Sequence, residues 1–523
     1  LRLRRRDPAA PPRVSRLRLT LLELALGAAA ALGHAPFDFW PATPVALGLA
    51  LWHLARAATA RQAGLRGLFI GAGYFAVALV WIVEPFLVEP EIHGWMAPFA
   101  LVFMALGGGL FWAVPVGLAA RLVRGWRARA VAMAVLLLVS EWLRGWIFTG
   151  FPWAMPGQAW VGTPVAQLAA WGGQLGLTAL TLTLAVLPVV LWRPARTGLL
   201  GAAPGLAASA VLLSAAWIAG LMRLAAPEAP ATGLVLRLVQ PNADQALKWD
   251  PDWATEFYRR LLQGSAGPTA FGSLPDAVIW PETAVSFLLN DAGPVLPQMA
   301  EAAGGAPLLT GMQRHQGGRW FNSLVEVAPD GTATAVYDKF HLVPFGEYIP
   351  WGDAVARFGI GAFAAQNGFG YTSGPGPAVL QLDRLPPFQP LICYEAVFPQ
   401  HLRAPAARPE WLLQITNDAW FGQVSGPWQH LAQAQLRAIE TGLPLMRVAN
   451  TGISAAIGPR GRIAAQLGLG VLGRIDAVLP APLPPTLWYR FGDGPLLALA
   501  LALLGLTVAA DRRRPIDGTR RSP

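Results

Sequence analysis

Eight stretches of the chain are apolar for long enough to approach the thickness of a bilayer. They fall at 19–32, 42–57, 67–88, 95–120, 128–148, 164–192, 199–222 and 494–510. A membrane-crossing helix needs about 20 such residues, so all eight are expected to span, although 42–57 is short. Between 223 and 493 the pattern changes. Apolar runs shorten and turn residues separate them, as in alternating strands and helices. Strands are expected at 233–239, 277–280, 307–310, 323–327, 332–337, 391–392, 411–416, 445–448 and 454–457. Helices are expected at 253–262 and 427–441. Pro329-Asp330-Gly331 marks a hairpin, and Pro386, Pro387 and Pro390 read as a loop before the short run Leu391-Ile392. The expected architecture is therefore a membrane α-helical bundle of eight spans with an inserted α/β domain. Its parts are 1–222 (seven spans), 223–493 (the inserted α/β domain) and 494–523 (the eighth span and a tail).

Composition agrees with a membrane protein. Of the 523 residues 54% are hydrophobic and 13% charged, about half the charged share of a soluble chain, and the mean hydropathy is +0.42. A charged start followed by 19–32 resembles a signal peptide, but 33–38 makes a poor cleavage site, so an uncleaved anchor is expected. The chain opens on Leu, so either residues precede it or its start codon is unusual.

The net charge of +10 is a matter of location. Arginines cluster at 2, 4, 5, 6, 13, 16 and 18, then at 56, 61 and 66, at 121, 124, 127 and 129, at 193 and 196, and at 512, 513, 514, 520 and 521. The alternate short loops, 33–41, 89–94 and 149–163, hold no Lys or Arg. The positive-inside rule then puts both termini in the cytoplasm and 223–493 on the other side. Trp95, Trp146, Trp153 and Trp160 are expected as interfacial anchors near the outer ends. Over 232–485 there are 16 basic and 19 acidic residues, so the basic excess is a topology signal and nucleic-acid binding is excluded.

Two residue counts point to chemistry. Cys393 is the only cysteine, which excludes an internal disulfide. Only two of the 40 basic residues, Lys248 and Lys339, are lysines. In an arginine-biased chain a retained lysine suggests a compact ammonium whose pKa can shift. Three expected strands end near reactive side chains: Glu282 in Trp280-Pro281-Glu282-Thr283, Lys339 in the run Tyr337–Tyr348 with Glu347, and Cys393 after Leu391-Ile392. Strands lying side by side would bring these ends together. A carboxylate could take the thiol proton, and an ammonium could stabilise the thiolate and then an oxyanion, giving acyl transfer through a thioester. Each residue also has a plain reading. Cys393 alone reads more readily as a small buried hydrophobe. Glu282 could cap a helix, and Lys339 and Glu347 could be surface charges.

The motifs WPET at 280–283, YDKFHLVPFGEY at 337–348, ICYE at 392–395 and TNDAWFG at 416–422 resemble the nitrilase superfamily. Within it they resemble the apolipoprotein N-acyltransferases of the bacterial cell envelope, and the eight spans and inserted domain extend the likeness over nearly the whole chain. The resemblance implies a nitrilase-like αββα sandwich with Glu282 as general base, Lys339 as oxyanion stabiliser and Cys393 as nucleophile. It implies supporting roles for Glu347, Tyr394 and Glu395, and substrate handling by Trp249. It implies a phospholipid acyl donor, phosphatidylethanolamine in the first instance, and an apolipoprotein acceptor whose diacylglyceryl-cysteine amine attacks the thioester. No cofactor or metal is expected. The expected state is a monomer embedded in the bacterial inner membrane, its catalytic domain periplasmic.

Two other readings compete. A membrane-tethered amidase or nitrilase would use water as acceptor. A transporter or scaffold would instead rely on intramembrane Glu23 and Glu141. The stretch 351–373, rich in glycine and aromatics, is expected as an apolar arm dipping into the outer leaflet. Phe358→Ser with Phe363→Ser should then reduce turnover on phospholipid vesicles more than thioester formation from a soluble ester. Equal losses in both assays would count against the arm.

Overall fold

Helices form at all eight apolar stretches: Arg16–Ala31, Ala42–Ala55, Ala60–Ala78, Ala97–Leu122, Trp126–Arg144, Ala169–Val190, Gly198–Ala225 and Gly494–Arg512. They belong to a computed structural model that describes residues 16–196, 198–228, 230–350 and 370–513. The expected arm is outside the described residues up to 369, as are the arginines before 16 and after 513.

The eight helices are not equivalent. Pro90–Leu122, Pro164–Val190, Gly198–Ala225 and Gly494–Arg512 are long and apolar enough to cross a membrane. A fifth candidate is the pair Ala60–Ala78 and Val80–Leu87, bent by 51°. Arg16–Ala31 and Ala42–Ala55 have only 16 and 14 residues, and Trp126–Arg144 carries Arg127, Arg129, Glu141 and Arg144. By length and composition there are thus four or five candidate spans among the described residues. Small residues let the helices touch. A Cβ on Gly73 would lie 2.0 Å from the Leu24 carbonyl oxygen, and one on Gly27 would lie 1.8 Å from that of Ile70, a backbone approach that only glycine permits.

Two buried carboxylates in this region are paired with cations. Glu23 Oε1 lies 2.9 Å from His53 Nε2 and 3.6 Å from Arg66 Nε. Glu141 pairs with Arg144 and accepts the Trp112 indole N–H at 2.8 Å. The expected tryptophan anchors divide. Trp95 and Trp146 are exposed, whereas Trp153 and Trp160 are fully buried. The buried pair are not interfacial anchors, because each indole N–H has an internal acceptor: Gln429 Oε1 at 2.7 Å for Trp153 and Thr181 Oγ1 at 2.8 Å for Trp160.

The remaining chain makes twelve strands among the described residues: β1 (Ala231–Gln240), β2 (Ala277–Ile279), β3 (Leu308–Gln316), β4 (Arg319–Val327), β5 (Ala333–Asp338), β6 (Leu380–Leu382), β7 (Leu385–Ile392), β8 (Trp411–Thr416), β9 (Leu445–Ala449), β10 (Ser454–Ile457), β11 (Ile463–Leu467) and β12 (Gly473–Pro480). They form two six-stranded sheets of order β12-β1-β2-β3-β4-β5 and β11-β10-β9-β8-β7-β6. Alternation sorts their side chains between two faces. Leu236, Leu238, Ala277 and Ile279 from one sheet and Trp411, Leu413 and Ile415 from the other share the central core. Val239, Val278 and Trp280 turn outward onto the helices Pro251–Ser265 and Leu296–Ala302. Leu391, Leu412 and Leu445 turn outward onto Gly426–Thr441. The result is the αββα sandwich.

One expected loop is a strand. Pro386, Pro387 and Pro390 lie inside β7, which pairs in parallel with β8 from Phe388↔Trp411 to Ile392↔Ile415. On its other side β6 pairs only as far as Phe388, so Pro390 lies beyond the last residue that β6 covers, where a missing N–H costs little.

Candidate active site

Elements from both sheets end at one place. Glu282 follows β2, Lys339 follows β5, Cys393 follows β7 and Asn417 follows β8. The strand ends thus meet across two facing sheets and not side by side in one. Glu282 stands on a turn and caps no helix. Thr283 after it has φ +46°. A Cβ on the facing Gly311 would come within 2.6 Å of the Glu282 Cα, so that glycine lets the Glu282 backbone lie against β3.

Lys339 is 1% exposed and is the centre of the cluster. Its Nζ donates to Glu347 Oε1 at 2.8 Å and to Glu282 Oε1 at 3.2 Å. Asn322 on β4 donates from Nδ2 to Glu282 Oε1 at 2.7 Å and to Glu347 Oε1 at 3.3 Å. Its carbonyl also accepts the Lys339 N–H. Glu282 Oε2 accepts the Asn417 N–H at 2.9 Å, and Glu347 Oε2 accepts the Val343 N–H at 2.8 Å. Burial opposes the Lys339 charge, but Glu282 and Glu347 outweigh it and hold the ammonium well above the ordinary lysine range.

Cys393 has φ +51°, a left-handed conformation that costs a non-glycine residue about 1–3 kcal/mol and persists only when its surroundings fix it. Those surroundings are on both sides. Glu395 Oε2 accepts the Ile392 N–H at 2.7 Å. The Cys393 carbonyl oxygen lies 3.2 Å from His430 Nε2 and accepts from Gln414 Nε2 at 3.4 Å. Burial, and then the negative charge of Glu282, push the thiol pKa far up, with Lys339 and the Thr416 hydroxyl opposing. The resting sulfur is a neutral thiol.

Glu395 ties the Cys393 turn to the Lys339 strand. Its Oε1 accepts N–H groups from Phe340 at 2.8 Å and His341 at 3.3 Å, and the Tyr337 hydroxyl donates to it at 3.2 Å. Burial raises its pKa to about 7 against those donors. Tyr394 is buried and its hydroxyl donates to the Gly150 carbonyl at 3.1 Å, so it anchors the Cys393 turn to the helical region. Trp249 is half-buried in the turn 245–250. Its ring makes no hydrogen bond to the cluster among the described residues; the turn reaches the cluster through Gln245 Oε1, which accepts from Asn417 Nδ2 at 2.7 Å, and electrostatically through Lys248.

Several members of the site were not singled out from sequence. Asn322, Gly311 and His430 lie outside the four motifs. Asn417 and Thr416 lie inside TNDAWFG, and Asp418 beside them receives Arg447 and lies 3.0 Å from His430 Nδ1. A polar residue at a buried strand position, such as Asn322, is the one signal the alternation pattern contained.

The arrangement can move a proton from a thiol to a carboxylate, hold a cation beside a developing oxyanion and exclude water. That is the equipment of a carbon-nitrogen hydrolase, and the sequence matches the Carbon-nitrogen hydrolase family over residues 277–483. Residues 26–187 match the family Apolipoprotein N-acyltransferase N-terminal domain. The chain is 38% identical to the apolipoprotein N-acyltransferase of Rhodopseudomonas palustris over 515 residues, 95% of each chain. It is 40% identical to that of Caulobacter vibrioides over 504 residues, 92% of each. A carbon-nitrogen hydrolase superfamily protein from Xanthomonas campestris is 21% identical with TM-score 0.34, covering 53% of this chain and 96% of its own. The chain belongs to the apolipoprotein N-acyltransferase family, and it is a membrane protein with several apolar helices.

Lys248, the second lysine, is 3% exposed and has no hydrogen bond or ion pair among the described residues. Burial lowers its pKa to about 8, with Glu282 opposing. An unfolded lysine keeps its proton to about 10.5. Between these values unfolding takes up a proton, so stability rises with pH. Below them the buried ammonium costs roughly 3 kcal/mol. Lys248→Met should therefore raise Tm at neutral pH and flatten the rise in Tm between about pH 8 and 10.5. An unaltered slope in that window would show that Lys248 is not the group responsible.

Proposed function

We propose that this chain transfers an acyl chain from a phospholipid to the α-amino group of diacylglyceryl-cysteine at a lipoprotein N-terminus, through a thioester on Cys393. Family membership supports the overall reaction. The observation that carries the chemical assignment is the buried Lys339 ammonium, hydrogen-bonded to Glu282 and Glu347 at strand ends shared with the Cys393 thiol.

In this reading Glu282 takes the thiol proton as the sulfur attacks the ester carbonyl. The Lys339 ammonium stabilises the oxyanion that forms. The carbon–oxygen ester bond then breaks, and the lysophospholipid oxygen leaves with the proton from Glu282. In the second half the lipoprotein amine attacks the thioester and gives its proton to Glu282. The carbon–sulfur bond breaks, and the thiolate recovers that proton. Glu347 and Asn322 hold Lys339, Glu395 and Tyr394 hold the nucleophile turn, and Trp249 contacts substrate. The donor is phosphatidylethanolamine in the first instance. The acting unit is a monomer with eight spans, both termini cytoplasmic and residues 223–493 periplasmic.

Burial bears on the choice between acceptors. A thioester at a position 5% exposed is shielded from water, which favours transfer over hydrolysis. Intact-mass measurement of the purified chain after incubation with phospholipid alone should show one acyl-sized increment, mapping to Cys393 and absent from Cys393→Ala. A diacylglyceryl peptide should discharge it. Release of free fatty acid without an accumulating adduct would instead favour the membrane-tethered hydrolase.

A further inference from the structure

Three arginines meet away from the catalytic cluster. A cavity of about 390 Å³ opens between the helical region and the sandwich, lined by Arg223, Arg460 and Arg490 with Trp171, Thr486 and Leu487 among its walls. None of its lining residues is acidic. Arg460 is 8% exposed. Its Nη2 donates to the Pro227 carbonyl at 2.9 Å, but Nε and Nη1 are buried without a hydrogen-bond partner. Arg223 uses one nitrogen on Gln167 Oε1 at 2.8 Å, and Gln167 Nε2 in turn donates to the Arg460 carbonyl at 2.9 Å. Among the described residues no carboxylate forms an ion pair with any of the three. Arg460 is the buried one of the three, and a buried guanidinium is ordinarily paired, so the cavity is short of an anion.

Its position says what kind. Arg223 stands in the last turn of Gly198–Ala225 and Arg490 on the short helix Leu487–Phe491, just before Gly494–Arg512. Only 17% and 11% of the apolar windows of the two long helices are buried. Trp171, Leu487, Ile218 and Met222 are exposed around the same end. The cavity thus has a cationic floor and an apolar rim that continues onto a lipid-facing helix. A small free anion would leave that rim uncovered.

It is not an annex of the catalytic cluster. Arg460 lies in the turn after β10, which is antiparallel to β9, whereas β7 is parallel to β8 and β8 to β9. The turn therefore sits at the end of the strands opposite Cys393, and β10 is three strands, about 14 Å, from β7.

We infer that this cavity binds the phosphodiester headgroup of an anionic phospholipid, whose acyl chains lie along Gly198–Ala225. The guanidinium groups supply charge-assisted hydrogen bonds to the phosphodiester oxygens. The lipid then bridges the sandwich, through Arg460, to the membrane helix that carries Arg223. This inference is independent of the acyl-transfer reading.

Native mass spectrometry of the full chain in detergent tests it, with phosphatidylglycerol, phosphatidylcholine or inorganic phosphate added. The wild-type chain should retain one phosphatidylglycerol and no phosphatidylcholine. Arg223→Gln and Arg460→Gln should each weaken that retention about tenfold or more. Arg490→Gln, at an exposed position, should weaken it in a chain whose Tm is unchanged. Equal retention in Arg490→Gln and wild type, equal retention of the zwitterionic lipid, or complete displacement by inorganic phosphate would each overturn the proposal.

Discussion

A lysine ammonium taken out of water is the constraint on which the catalytic half of this protein depends. Removing such an ion from solvent costs several kcal/mol, and attraction recovers the loss only when the geometry is good and further hydrogen bonds hold the partners. Lys339 meets that condition with two carboxylates, and Asn322 donates to both, which keeps the acids in place between the sheets. The second sheet closes the arrangement through the Asn417 N–H. No one strand could assemble it. Two sheets ending at the same level are required, and the sandwich core sets that level.

The thiol depends on the same cluster in the opposite sense. Burial and the negative charge of Glu282 disfavour the thiolate. The sulfur therefore stays neutral until a carbonyl arrives for it to attack, which protects the unpaired cysteine from oxidation. The strained turn at Cys393 is held by Glu395 on one side and by His430 and Gln414 on the other. The helical region takes part as well. Tyr394 is bonded to Gly150, Gln429 to Trp153, Ala35 and Ala78, and Gln174 to Glu440. The helical region and the Cys393 turn thus share one hydrogen-bonded joint.

Most of the strands were legible because period-two alternation in a two-layer core has no other reading. β1, β2, β8, β9 and β10 lie within a few residues of their expected positions, and the Pro329–Gly331 hairpin joins β4 to β5. The three prolines of β7 misled because a strand can keep them where its neighbour stops, and pairing length is not a local property. Trp153 and Trp160 misled for a related reason: an indole near an apolar segment's end is an anchor or a core residue according to what packs over it. Glu282, Lys339 and Cys393 stood out by rarity and motif. Asn322 and Gly311 did not, because their importance comes from what they face across the sheets. The eight apolar stretches were legible as helices, but whether short ones such as Ala42–Ala55 cross a bilayer is set by neighbours and lipid.

The single cysteine allows the central claim, a neutral resting thiol activated by Glu282 only during attack, to be measured directly. The rate of Cys393 alkylation by iodoacetamide should be slow and should show no thiolate inflection between about pH 6 and 8. Under the same conditions Glu282→Gln should lose phospholipid-dependent acylation by about a hundredfold or more. An inflection near neutral pH in the wild-type chain, with acylation surviving Glu282→Gln, would contradict it.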